Sequence, residues 1–388
     1  VADTTSTVSN FVPPALEAAP HLRFSPHPSL FPVVCLPFYF DVLADQGAEM
    51  HFMDRKRLLQ YGRPLWKNSG ACNLRFVLSK LRGKDRAISG GRRKDAQELA
   101  CLACRIPLRV LESSLCSDLV GNSTALCMFV SDDRAAICCS YGSEPIVAEA
   151  AASSTFSMQA LQKAFRRRQV DTGAVGELMA QKILLDAFDR CVRAVCANRQ
   201  EYFEKAKENP ILLLNVLEEL CQPEEINRLK AQLEKQKLSG MCVFFNHFIE
   251  IAVSLSPKIA LQALKRCCGI MLKPGSKGAD LCLPLFLPGD RQPALAGWLW
   301  VQVNLRQKLS DVEAVCEKLR PFNVLSDQWP TMSQQQRELP FIGLVLSLHP
   351  EVSLPSLAAP KPETINALYT AEELHQRVEH CAREQESN

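Results

Sequence analysis

The chain has no G-x-x-x-x-G-K-S/T loop, so a P-loop nucleotide site is excluded from its 388 residues. Gly90-Gly91-Arg92-Arg93-Lys94 has some of the composition of such a loop but not its spacing. There is no H-E-x-x-H and no G-x-S-x-G, which removes zincin-type hydrolysis and the serine nucleophile elbow. No apolar run is long enough to span a membrane, because Asn246 and His247 interrupt Met241–Phe245 and Ile249–Leu255. Val1–Asn10 is polar and does not read as a secretory segment. A first residue that is Val and not Met points to a fragment or a processed chain.

Cysteine, by contrast, is abundant. The 17 are odd in number and irregularly spaced, so reduced and mostly buried thiols in a cytoplasmic or nuclear protein are expected. Cys101-x-x-Cys104 has a ligand pair's spacing but no accompanying His cluster, and zinc is not expected. Hydrophobic residues at 47% and charged residues at 22% fit a folded chain of two or three domains. The net charge is only +3, yet Asp54–Lys94 holds thirteen Lys or Arg against two Asp. Such a cluster is the footprint of a phosphate-bearing partner, or simply a solvated face. Its candidate nucleic-acid contacts are Arg55, Lys56, Arg57, Arg63, Lys80, Arg82, Lys84, Arg92, Arg93 and Lys94.

The most informative stretch is Lys273–Arg306. Leu281–Leu287 and Trp298–Val303 are apolar, and Pro288, Gly289, Asp290, Pro293 and Gly297 separate them. That pattern predicts two strands of one sheet. Asp280 stands where the first strand begins, and Gln302 and Asn304, two apart, project from one face of the second. A carboxylate beside polar side chains on an apolar strand is a possible metal-dependent site; an ordinary turn aspartate is the simpler account.

Gly278, Asp280, Leu281 and Pro284, followed by Trp300, Val301, Gln302 and Val303, resemble the PD-(D/E)XK restriction-endonuclease-like core. The resemblance is to the version found in large fungal proteins allied to the Crinklers, in which a P-loop NTPase precedes the nuclease-like domain. Gly176-Glu177-Leu178-Met179-Ala180 resembles the helix carrying the first acidic residue of that core. Tyr61-Gly62-Arg63-Pro64-Leu65-Trp66 resembles a motif lying between the two domains of those proteins. The resemblance implies catalytic positions at Glu177, Asp280, Gln302 and Asn304. It also implies Mg²⁺ on Asp280, Gln302 and the Val301 main-chain carbonyl, DNA as substrate, and an NTPase domain as a further partner. Where that motif has Lys, this chain has Asn304, which donates a hydrogen bond but carries no charge. Lys277 and Lys308 are candidate replacements. A Mg²⁺-dependent nuclease and an inactive module that binds nucleic acid or protein both remain open.

The expected fold is mixed α/β: a restriction-endonuclease-like core of a small central sheet flanked by helices, after a mainly helical N-terminal half. The expected division is a lead-in at 1–32, a basic helical region at 33–150 resembling an NTPase tail, a nuclease-like domain at 151–350 with a helical insertion, and a polar tail at 351–388. Helices are expected over Ala71–Leu81, Asp95–Leu111, Ser157–Val170, Val175–Ala197 and Asp311–Leu319, and strands over Gly269–Lys273 and Phe341–Leu348.

Overall fold

A computed structural model describes residues 50–68, 73–83, 91–131, 136–154, 158–171, 173–221, 223–235, 239–289, 294–304, 318–347 and 365–370. The expectations for 1–32, for Asp132 and Asp133 and for most of Asp311–Leu319 fall outside them. The chain forms two units, and the change falls between Ala174 and Val175. Asp45–Leu58, with the short helix Arg55–Leu58 (α1), belongs to the second unit. The segment before residue 175 stays with the first unit because Val110 bridges Val170 and the amides of Leu111 and Asp171 bond back across that pair.

The first unit is mainly helical: Leu65–Asn68 (α2), Leu74–Arg82 (α3), Gly91–Ala103 (α4), Ser113–Asn122 (α5), Pro145–Ala152 (α6) and Met158–Arg166 (α7). Asn73 caps α3 by accepting the Arg75 amide at 2.8 Å, and Leu74, Val77 and Leu81 bury one side of that helix. Strands Leu126–Val130 (β1) and Ile137–Ser140 (β2) form a small antiparallel pair. The helix expected over Asp95–Leu111 ends at Ala103. Beyond it, Arg105–Pro107 turns the chain, and Pro107 has no amide to continue a helical ladder.

The second unit opens with the long helix Val175–Val195 (α8), then Arg199–Lys205 (α9), Ile211–Leu212 (β3), Leu213–Glu218 (α10) and Pro223–Lys235 (α11). Cys242–Val243 (β4), His247–Glu250 (β5), Pro257–Lys265 (α12), Cys268–Met271 (β6), Leu281–Phe286 (β7) and Gly297–Asn304 (β8) follow. Pro321–Val324 (α13), Gln334–Arg337 (α14), Phe341–Ser347 (β9) and Ile365–Thr370 (β10) complete it. The eight strands β3–β10 make one mixed sheet. β7 pairs antiparallel with β6, β4 and β8, whereas β8 and β9 run parallel.

Strand pleating sorts this sheet into two faces. Leu281 opposes Val301, and Met271 opposes Leu281; the Gln181 amide of α8 reaches the Met271 sulfur at 3.2 Å, so α8 covers that face. The Phe188 ring of α8 lies 4.8 Å from Phe245, tilted by 43°, and Phe245 meets Phe248 of β5 edge-on. On the other face Cys282, Trp298 and Trp300 share a buried cluster with Ala260 and Ala263 of α12. The two indoles lie 4.8 Å apart and nearly parallel. A mixed α/β fold with helices over both faces of a sheet is the result. Within the segment 351–388, the described residues Ile365–Thr370 form β10, which pairs antiparallel with β9. Ile365–Thr370 is mostly apolar, with Asn366 and Thr370 the polar exceptions, and β9 offers it an edge whose backbone groups would otherwise lack partners.

Candidate functional site

The turn before β7 fixes the position of Asp280. Gly278 has a φ of +92°, and a Cβ there would lie 2.1 Å from the Lys318 carbonyl oxygen and 2.9 Å from the Val324 side chain. Only glycine serves both the left-handed backbone and the close approach. Two residues later the Asp280 backbone is held from both sides. Its amide donates to the Val301 carbonyl at 2.8 Å, and its carbonyl accepts from Leu272 at 2.9 Å.

Past this rung β7 no longer faces β8, so the Val303 amide has no strand to bond. The Asp280 side chain takes that place: Oδ2 accepts the Val303 amide at 2.7 Å and the Gln302 Nε2 at 2.8 Å. Both bonds fall on one oxygen, and no described residue bonds Oδ1. Burial pushes the Asp280 carboxyl up, the Val303 amide lowers it, and the nearby Glu177 carboxylate raises it again, leaving it at about 6. Glu177 is half-buried in the first turn of α8. The structure therefore brings Glu177, Asp280 and Gln302 to one end of the sheet.

The other expected participants are distributed differently. The Val301 carbonyl is committed to the ladder through the Asp280 amide. Asn304 is the last residue of β8 and stands opposite Ser347 in the parallel pairing, but its side chain lies outside the description. Lys277 is exposed and acts electrostatically on Asp327, and Lys308 lies outside the described residues. Lys182, five residues along α8 from Glu177, is buried and paired with Asp186 at 2.5 Å.

No group of three or more His, Cys, Asp or Glu able to hold a metal occurs among the described residues. Two carboxylates, Asp280 with its Oδ1 uncommitted among the described residues, and an amide whose Oε1 is left over, still suit by donor type a hard cation that keeps most of its waters. Burial raises the Cys101 thiol to about 11 and the Cys104 thiol well above its ordinary value.

The basic segment divides between the two units. In the second unit, Arg55 pairs with Glu204 at 2.7 Å and buried Arg57 donates to the Met50 carbonyl at 2.8 Å, while Lys56 is exposed. In the first unit, Lys80 lies 5.5 Å from the Phe76 ring and Arg82 reaches Ser154 at 2.6 Å. Asp290, Pro293, Lys84 and the side chains of Arg92, Arg93 and Lys94 lie outside the described residues.

Arg63 has an internal role that its charge alone did not reveal. Its backbone amide and guanidinium, together with the Trp66 indole at 2.8 Å, all donate to the buried carboxylate of Glu144. A further Arg63 nitrogen donates to the Thr124 carbonyl at 2.8 Å. Gly62, at a φ of +86°, brings its Cα against Glu144, where a Cβ would lie 2.4 Å from Cγ. The Tyr61–Trp66 motif is thus a clamp around one carboxylate.

The two-unit mixed α/β architecture with this carboxylate pair defines the class of structure. Residues 90–296, just over half of the chain, match the family model described as Domain of unknown function (DUF8736), and the chain belongs to that family. The match takes in Glu177 and Asp280 and stops before Gln302. No curated protein and no solved structure matches the chain.

Proposed function

We propose that the second unit is an intracellular nuclease-like domain that acts on DNA with Mg²⁺. The observation that supports this reading is the Asp280 carboxylate. It is pinned through Oδ2 at the mouth of β7, poised at about 6, and has Glu177 alongside. Phosphodiester hydrolysis adds water across a P–O bond, and the acid–base groups that serve it work best with pKa values near the working pH. A bound Mg²⁺ would neutralise charge on the phosphate and acidify a water. Of the chain's own groups, Glu177 and the free Oδ1 of Asp280 would hold the cation, and Gln302 would keep Asp280 oriented.

A second reading is favoured by one residue. Asn304 cannot provide positive charge at the scissile phosphate, which fits a pseudonuclease that grips nucleic acid or a protein without cutting. Incubating supercoiled plasmid and Mg²⁺ or Mn²⁺ with the natural chain, Asp280→Ala and Asn304→Lys separates the two. Cutting by the natural chain that disappears in Asp280→Ala is expected of the nuclease. Cutting by Asn304→Lys alone identifies the pseudonuclease. No cutting by any of the three overturns nuclease ancestry as a guide to function.

A further inference from the structure

The segment that Gly278 packs against carries its own surface. Val324, whose side chain abuts Gly278, is the last residue of α13, and Phe322 lies two residues before it. Phe322 is 59% exposed, although it is one of the chain's larger apolar side chains. It meets Trp329 edge-on at 5.6 Å, and the Arg337 guanidinium lies 5.6 Å from the Trp329 ring. Trp329 opens the 3₁₀ turn Trp329–Thr331, and its backbone amide donates to the Leu325 carbonyl at 2.8 Å, so the aromatic pair is held by short-range bonds.

Positive charge surrounds this pair. Lys277 and Lys318 are exposed on either side of the Gly278 contact, and Lys273 pairs with Asp327 at 3.5 Å. Asp327 is held below the ordinary carboxylate range by its hydrogen bond from Ser254 and by the charges of Lys273 and Lys277. Among the described residues 273–277 and 318–338 there are five Lys or Arg against two Asp or Glu. An exposed ring braced by a second ring, with cations in the same segments and two residues from Val324, which packs on the turn that sets Asp280, has the chemistry that binds unpaired bases. Any base can stack on such a ring, and phosphates meet the Lys and Arg.

We propose that Phe322, Trp329 and the Lys277–Lys318–Arg337 cations form a platform for an unpaired nucleic-acid strand that leads its backbone toward Asp280. The assignment rests on the nuclease-like reading and narrows its substrate to a single-stranded segment. A duplex hides its base faces within the stack and offers phosphates and groove edges, neither of which can stack on a ring.

The test is fluorescence anisotropy of a labelled oligodeoxythymidine and of a matched duplex on the full chain, in EDTA so that no cleavage occurs. Tighter binding of the single strand is expected. Phe322→Ala should weaken that binding about ten-fold or more, while Phe322→Trp keeps it. Lys277→Gln with Lys318→Gln should flatten the salt dependence of binding. An unchanged thermal midpoint in Phe322→Ala confirms that folding is intact. Equal affinity of Phe322→Ala and the natural chain, preference for the duplex, or no binding of either oligonucleotide overturns the platform. Since the assay needs no cutting, retained Phe322-dependent binding by a chain that cleaves nothing would sink the nuclease reading alone.

Discussion

Each unit sets a carboxylate into its structure, and the two are treated oppositely. Glu144 in the first unit is buried with both oxygens engaged, by the Arg63 amide and guanidinium and by the Trp66 indole. Burial works against the Arg63 charge, but the Glu144 carboxylate and its hydrogen bonds outweigh that and hold the guanidinium above its ordinary value. Asp280 in the second unit has neutral donors on one oxygen and a like charge nearby, and no ion pair to it occurs among the described residues. A carboxylate whose charge is matched from within serves the fold. One left with an unmatched charge at a sheet end is available for chemistry. The contrast teaches that the pairing of a buried acid, more than its burial, separates structural from functional use.

The largest expected effect comes from the matched acid. Glu144→Ala leaves the Arg63 guanidinium without its counter-charge, and a loss of about 3–5 kcal/mol in denaturant unfolding is expected. A mild effect would break the contrast at once. Gly278→Ala comes next, at a cost on the order of 2–4 kcal/mol, because its Cβ meets the Lys318 carbonyl and its φ is left-handed. A thermal midpoint unmoved by that change would show that the turn is not what places Asp280.

Asp280→Asn sharpens the comparison through pH. The folded state raises the Asp280 carboxyl to about 6, so between pH 4 and 6 it binds more protons than the unfolded chain. The natural chain should therefore gain stability relative to Asp280→Asn as pH falls through about 6. The gain should amount to about 1–2 kcal/mol, allowing for solvent on the open side, and be complete near pH 4. A constant difference between the two chains across that range would contradict the unmatched charge. The smallest effect is expected at Lys230, which pairs with Glu218 at 2.5 Å on the surface; Lys230→Ala should change stability by less than about 1 kcal/mol.

The central strands were legible because Gly and Pro bound two apolar runs, and the structure places them at Leu281–Phe286 and Gly297–Asn304. Helix Val175–Val195 was legible from its apolar spacing. Strands β4 and β5 were not, since two and four residues are too few to show a period. The unit boundary was hidden because it depends on the Val110–Val170 bridge, sixty residues apart in sequence. At the site, Asp280 and Gln302 could be read from position alone. That Asp280 would bond the Val303 amide could not, because the bond exists only where two neighbouring strands part company. Arg63 looked like surface charge because sequence gives no sign of Glu144, eighty-one residues away.

The bond from Val303 to Asp280 also makes the sheet its own indicator. A main-chain amide whose acceptor is a titrating carboxylate changes its electronic environment with every protonation or ligation event at that oxygen. The Val303 amide resonance should thus move with a midpoint near pH 6 and should be displaced by any cation that the carboxylate captures. Occupancy of the candidate centre becomes observable from the backbone, with no substrate and no knowledge of the reaction.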